Sequence, residues 1–504
     1  MTSTLITSGL VGTVLQHPWS WLISALLGGF IICIFKRRYL SPLSGIPGPL
    51  LASVSQLWMA KESYGDSFHR TNIALHEKYG KLVRIGPNEV SVADLGLVRK
   101  MFAAGNKYAK SSYYDSWKGK RKFDLFGERD EKAHSSMRRL VSRVYSMDSM
   151  RDLEVYAERT VNKFVTRLDE MQGQTLDMSV WFQLFAFDTI GELTFSHPYG
   201  FLDTGKDDGT LASVCQALWS LSWTSFAQWI IPLDDFVTPI FGPQLSMHMR
   251  NGKFAQFAMR ELREREKRPD NHKDMLTKLF EARKDKPDLN DAAIQGIMNS
   301  NVFAGSDTTA IALRGVFYNI LKHPQVKEKF LNELWQRRSS GELSEPIKFH
   351  ETEKWPYLQA LIYEALRLHP VTGMGFSRIV PQPGVEVDGH FLPAGTAVAP
   401  NAWVIHRNKE VYGDDVEVYR PERWLDESKK SDMQRFFLAF GGGTRTCIGR
   451  NISWMEISKI IPTLFLNFDF ALVRPDRPLK EVCAGLVVQE GLLVTYKRQT
   501  RAFE

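Results

Sequence analysis

The chain has 504 residues, of which 43% are hydrophobic, and a formal charge of +7. Past residue 50 no Ser/Gly or Pro-rich linker, repeat or low-complexity tract breaks the apolar pattern, so one large core is the economical reading. Four cysteines, at 33, 215, 447 and 483, are too few and too scattered for a disulfide framework or a zinc knuckle, and the mild charge gives little support to nucleic-acid binding.

No charged side chain occurs in residues 1–35, and residues 19–35 read WSWLISALLGGFIICIF. With help from flanking apolar residues, such a helix would cross a bilayer core of ~30 Å. The basic triplet Lys36, Arg37, Arg38 follows the apolar run instead of preceding it. That order is opposite to a secretory signal, and the positive-inside rule leaves the rest of the protein cytosolic. The expected organisation is a membrane anchor over residues 1–40, a Pro/Gly hinge over 41–50 beginning SPLSGIPGP, and a catalytic domain over 51–504.

Residues 81–94 alternate on both sides of Gly86-Pro87-Asn88, which predicts a hairpin. From about 130 to 335 the spacing is helical, with helices expected over 275–282 and, behind an Asn290/Asp291 cap, over 291–321, the latter ~45 Å long at ~1.5 Å per residue. The stretch AGSDTT at 304–309 lies inside that helix. Its hydroxyls compete for backbone hydrogen bonds and Gly305 costs ~1 kcal/mol relative to alanine, so a local opening of the helix is expected there.

A further helix is predicted over 357–368, where Glu364 and Arg367 lie three apart among leucines and isoleucines. Exposed, such a pair contributes only ~0.2–0.5 kcal/mol; buried, it needs more partners, and Pro421-Glu422-Arg423-Trp424 supplies one. Hairpins are predicted around Asp388-Gly389 and at Glu490-Gly491. The fold class is mainly α with small β-sheets.

Residues 440–449 read FGGGTRTCIG. If a large flat cofactor coordinates at Cys447, glycines such as Gly441 let the backbone approach the sulfur and turn N–H groups toward it. Phe440 would screen the thiolate, and Arg445 is placed to pair with a carboxylate on the cofactor.

This segment matches FxxGxRxCxG, and the chain is identified by it as resembling the cytochrome P450 superfamily. AGSDTT fits that family's [AG]GxDT[TS], and PERW is similar to its PERF segment, whose arginine joins the ExxR pair. The resemblance implies a single heme domain with heme b, Cys447 as axial ligand to the iron, and Glu364, Arg367 and Arg423 as a structural triad. It implies that Ala304 borders the oxygen site, that Thr308 donates a hydrogen bond there, and that Asp307 relays protons. It also places Arg445, Arg378 of SRIVP and Arg138 of HSSMRRLVS at the heme propionates; His134 stands where many members have tryptophan.

The chain has no flavin or nicotinamide fingerprint, so electrons would come from NADPH through a separate NADPH-cytochrome P450 reductase at the endoplasmic reticulum membrane. Residues 108–126, 218–229, 303–304, 371–376 and 484–487 are the expected substrate contacts, and their apolar and aromatic character points to a lipophilic small molecule. FDTIGELTFSHPYGFL and GRNISWMEI resemble the filamentous-fungal branch that includes pisatin demethylase, which suggests secondary metabolism. Two alternatives stay open: a heme-thiolate isomerase or dehydratase needing no reductase, and a non-enzymatic heme sensor. The intact Asp307-Thr308 pair favours the monooxygenase.

Overall fold

The computed structural model describes residues 18–119, 121–242, 253–267 and 272–499. Helix α1 (Pro18–Tyr39) opens it, followed by α2 (Phe68–Tyr79) and the hairpin β1 (Leu82–Gly86) and β2 (Glu89–Val92). Next come α3 (Glu131–Val141), α4 (Met147–Glu170), the short strand β3 (Leu176–Asp177), α5 (Met178–Phe195) and α6 (Thr210–Thr224). Then follow α7 (Asp291–Lys322) and α8 (Pro356–Leu368). Strand β4 (Arg378–Ile379), the hairpin β5 (Gly384–Val387) and β6 (His390–Pro393), and β7 (Ala397–Pro400) lie between α8 and α9 (Arg450–Asn467). Strands β8 (Phe468–Leu472), β9 (Lys480–Ala484), β10 (Leu486–Glu490) and β11 (Leu493–Arg498) close the chain.

The long helices start where side-chain oxygens can accept orphan N–H groups. Asp130 accepts from Ala133 at the head of α3, Asp177 from Ser179 at α5, and Asn290 from Ala293 at α7. Helices α4, α5, α7 and α9 meet through a chain of fully buried rings. Phe164 lies 6.2 Å from Phe182, Phe182 5.2 Å from Phe317, and Phe317 5.3 Å from Phe465. Each ring contributes on the order of 1.5–3 kcal/mol by leaving water, which makes this the rigid frame behind the site.

The largest sheet has the order β1-β2-β7-β4, with β2 and β7 parallel and the other pairs antiparallel. The hairpin at Asp388-Gly389 forms as expected, both residues at positive φ. The one expected at Glu490-Gly491 does not. Strand β10 pairs with β9, whereas β11 pairs with β3 and β8 in another sheet, so the tight turn falls at Gly485. Gly491 merely redirects the chain between two sheets.

The N-terminal expectation is also revised. Among the described residues no helix is long and apolar enough to cross a membrane. The uncharged stretch of α1, 19–35, is about 25 Å long at ~1.5 Å per residue, and the apolar residues meant to extend it, 1–17, lie outside the described residues. Its Leu26, Phe30 and Ile32 are exposed. The segment after it is docked: Leu43 and Ile46 are buried, and Arg84 of β1 donates to the carbonyls of Arg37 (3.0 Å) and Pro87 (2.7 Å).

Candidate active site

The FGGGTRTCIG loop is closed by the Cys447 N–H donating to the Phe440 carbonyl at 2.9 Å. Gly441 and Gly443 take positive φ, which a side chain would resist. Gly442 and Gly443 also press on Phe102, where an added Cβ would fall 2.8 and 2.7 Å from its atoms. These glycines therefore serve packing against Phe102 as well as approach to the sulfur. Burial pushes the Cys447 thiol up, opposed by N–H groups of Gly449 and Arg450 and by the charges of Arg138 and Arg450. The residue as a whole is nevertheless exposed. Phe440 is held 6.0 Å from the Trp454 ring, with the Arg450 guanidinium 5.8 Å above it.

Helix α7 is tied across this loop at two points. Thr309 Oγ1 lies 2.9 Å from Ser453 Oγ of α9. One turn before the AGSDTT stretch, Asn301 accepts the Tyr145 hydroxyl, and the Tyr145 carbonyl accepts from Asn451 Nδ2 at 3.0 Å. Residues 304–308 are thus held opposite the loop, and Ala304 is exposed among buried and half-buried neighbours in the middle of the helix. The expected opening of the helix is not observed. Ser306 donates to the Val302 carbonyl (2.7 Å) and Thr308 to the Ala304 carbonyl (2.6 Å), so the hydroxyls are satisfied without breaking the turn. Asp307 is buried and accepts from Gln183 Nε2 at 2.8 Å, while its second oxygen has no partner. Burial raises its pKa to about 6 against the pull of Arg314 and Gln183.

Around the loop stands a group of cations. Arg138 donates to the Thr446 carbonyl at 2.9 Å; Arg378 is buried, 3.3 Å from Tyr114 Oη; Lys110 bridges backbone to backbone with Arg378 and places its ammonium 4.2 Å over Tyr114. None of the three reaches a carboxylate within ion-pair distance among the described residues. Arg445, expected to wait for a cofactor carboxylate, instead grips Glu131 of α3 (Nη2–Oε1 2.7 Å), the nearest protein carboxylate. Burial, then the charges of Arg378 and Arg445, hold Lys110 well below its ordinary pKa. His134 is buried, its Nδ1 without a partner, and burial with Arg445, Lys110 and Arg138 nearby lowers it to about 3.

On the other side of the loop the expected triad forms. Glu364 Oε1 and Oε2 each accept from Arg367 at 2.8 Å, Oε1 also from Arg423 (2.9 Å) and the Arg420 N–H (3.0 Å), and Oε2 from Trp424 (2.8 Å). His406 carries this brace to the loop: its Nε2 accepts from the Leu438 N–H at 2.8 Å, so its Nδ1–H donates to the Arg367 carbonyl at 3.0 Å. Burial lowers its pKa to about 3, which keeps that tautomer neutral.

A heme would need a thiolate and partners for two carboxylates, and this set of residues fits it. The unpaired cations and the partnerless His134 nitrogen are the donors such carboxylates require. Lys110, His406, Gln183 and Arg314 were not singled out from the sequence. Lys110, Gln183 and Arg314 act through space with no local motif; only His406, closing the apolar run at 402–405, carried any signal.

Four of the five expected substrate segments meet at one place: a Cβ on Gly485 would fall 3.5 Å from Ser222 and 3.7 Å from Trp117, and the Gly373 N–H donates to the Gly485 carbonyl at 2.9 Å.

A family model described as Cytochrome P450 matches residues 44–495. The chain is 40% identical over 477 residues to cytochrome P450 monooxygenase hepC of Aspergillus oryzae, covering 90% of this chain and 93% of that protein. It is 35% identical over 462 residues to cytochrome P450 monooxygenase cicH of Emericella nidulans, covering 89% and 92%. To cytochrome P450 monooxygenase gsfF of Penicillium aethiopicum it is 36% identical over 491 residues, covering 94% of each.

Proposed function

The chain belongs to the cytochrome P450 family and is a heme-dependent monooxygenase, and from that premise we propose that it hydroxylates or otherwise oxidises a lipophilic small molecule of fungal secondary metabolism with electrons from NADPH-cytochrome P450 reductase. The observation that carries this reading is the pairing of the Cys447 loop with the AGSDTT stretch of α7 through the Thr309–Ser453 contact.

Heme, when bound, supplies the activation of dioxygen. Cys447 would hold the iron, and Arg138, Arg378 and Lys110 would neutralise the propionates, with Arg445 shared with Glu131. Asp307, near pH 6 in its titration, can hold or release a proton at its carboxyl, and Gln183 and Arg314 set its orientation. Thr308 spends its hydroxyl proton on the Ala304 carbonyl and so offers its oxygen as an acceptor on the same face. The meeting of the substrate segments at Gly485 supports a largely apolar chamber.

Attachment to the endoplasmic reticulum membrane, with the catalytic part cytosolic, is part of the same reading. It is supported by the exposed apolar side chains of α1 and the basic triplet that ends it. The test compares metabolites of the source organism with and without this gene, then turns over the accumulated intermediate with purified protein. Product formation that needs both NADPH and reductase supports the proposal; turnover without them supports an isomerase or dehydratase.

A further inference from the structure

A small cavity of about 10 Å³ lies between α2, the β1-β2 edge of the large sheet and three of the expected substrate segments, which reach it through Tyr113, Phe226 and Met374. Such a volume holds one water-sized group. Its wall is mainly apolar and aromatic, with Asn72, Glu89, Ser91 and Ser377 as its polar residues.

Glu89 is buried, accepts from Gln56 Nε2 at 2.8 Å and more weakly from Ser377 Oγ at 3.4 Å, and has no ion-pair partner among the described residues. Asn72 is 1% exposed, and its Oδ1 has no hydrogen-bond partner. A buried acceptor without a donor is costly in a core. Neighbouring polar side chains are already engaged: Ser91 Oγ lies 2.8 Å from His76 Nε2, and His76 is bonded in turn to the Gly80 carbonyl at 2.8 Å. The unmet acceptor in the cavity wall is therefore Asn72 Oδ1, beside a Glu89 carboxyl held by one strong and one weak donor. Burial raises the Glu89 pKa against the pull of Gln56 and Ser377, which suits a neutral partner better than an isolated carboxylate would.

We propose that this cavity is a specificity subsite that receives a single hydroxyl, alcohol or phenol, of an otherwise apolar substrate, with Glu89 and Asn72 as the residues that recognise it. The inference rests on the reading of this chain as an oxidising enzyme with a lipophilic substrate. The subsite fixes one polar end of that molecule, so the carbon presented to the Cys447 side is set by its distance from the hydroxyl. A substrate lacking the hydroxyl leaves Asn72 Oδ1 unmet, which is a stronger basis for rejection than a missing methylene.

The test uses the full heme-loaded chain and follows the shift of the heme absorption band on titration with farnesol and 2-naphthol, each beside its methyl ether and its primary amine. The alcohol or phenol should bind about tenfold more tightly than its ether, one well-placed hydrogen bond being worth roughly that factor. In Glu89→Leu the preference should fall to near unity, with ether affinity and the carbon monoxide spectrum unchanged; Asn72→Ala should reduce it partly and serves if the first variant does not fold. Equal binding of alcohol and ether by the unmodified chain, or an unaltered preference in both variants, overturns the inference. Tighter capture of the amine, lost in Glu89→Leu, overturns the assignment to a neutral hydroxyl. Failure of the unmodified chain to bind heme through a thiolate would refute the proposed function instead.

Discussion

Two groups of buried and half-buried charge flank the cysteine loop, and they are built oppositely. Behind it, Glu364 and Asp415 balance Arg367 and Arg423, and Glu364 alone accepts from four different residues. In front, Lys110, Arg138, Arg378 and Arg445 converge with one directly paired carboxylate among the described residues, Glu131. A closed network of this kind holds geometry, whereas an excess of like charge in a core costs stability unless anions arrive. The difference separates what the fold needs from what a ligand needs more sharply than burial does, since each group mixes buried and half-buried residues.

Breaking the closed group should have the larger effect. Arg367→Ala leaves Glu364 buried against one guanidinium, and a loss of about 3–5 kcal/mol is expected, read as low soluble yield and a fall in the thermal midpoint even without heme. Asp307 tests the other side of the loop. Its folded pKa near 6 exceeds the ordinary value of 3.8, so its contribution to stability is complete below about pH 4 and is lost as pH rises through 6. Asp307→Asn should therefore gain on the unmodified chain between pH 4 and 6, by on the order of 2–3 kcal/mol, in denaturant titrations at the two pH values.

The cation group should respond in the reverse sense to the closed one. Lys110→Met removes a like charge from beside Arg378 and Arg445, so the heme-free chain should be as stable or more so, while heme dissociates about tenfold faster in a transfer assay to apomyoglobin. Destabilisation of the heme-free chain would erase the distinction drawn between the two groups. The smallest structural effect is expected from Thr308→Ala, which removes only the bond to the Ala304 carbonyl. It should keep the carbon monoxide spectrum and divert electrons to peroxide; unchanged coupling would count against a role for this hydroxyl.

How much was legible in the sequence follows the same division. The FGGGTRTCIG, AGSDTT and ExxR segments announce themselves because their residues act at fixed local spacing, and the α7 and α8 boundaries follow from caps and periodicity. Lys110 and Glu89 were hidden because each gains its meaning from residues distant in sequence: Lys110 from Arg378, Glu89 from Gln56 and Ser377. The hairpin expected at Glu490-Gly491 failed since turn chemistry does not say which strand will pair, and β11 found β8 and β3. The helix opening failed because Ser306 and Thr308 bond back to carbonyls of their own helix.

The account turns on the sulfur at 447, and the carbon monoxide difference spectrum of the reduced, heme-supplemented protein addresses it most directly. The unmodified chain should give the thiolate-type band and Cys447→Ser should lose it while keeping its helical circular dichroism. A thiolate band that survives in Cys447→Ser, or an imidazole-type spectrum in the unmodified chain, would contradict the assignment.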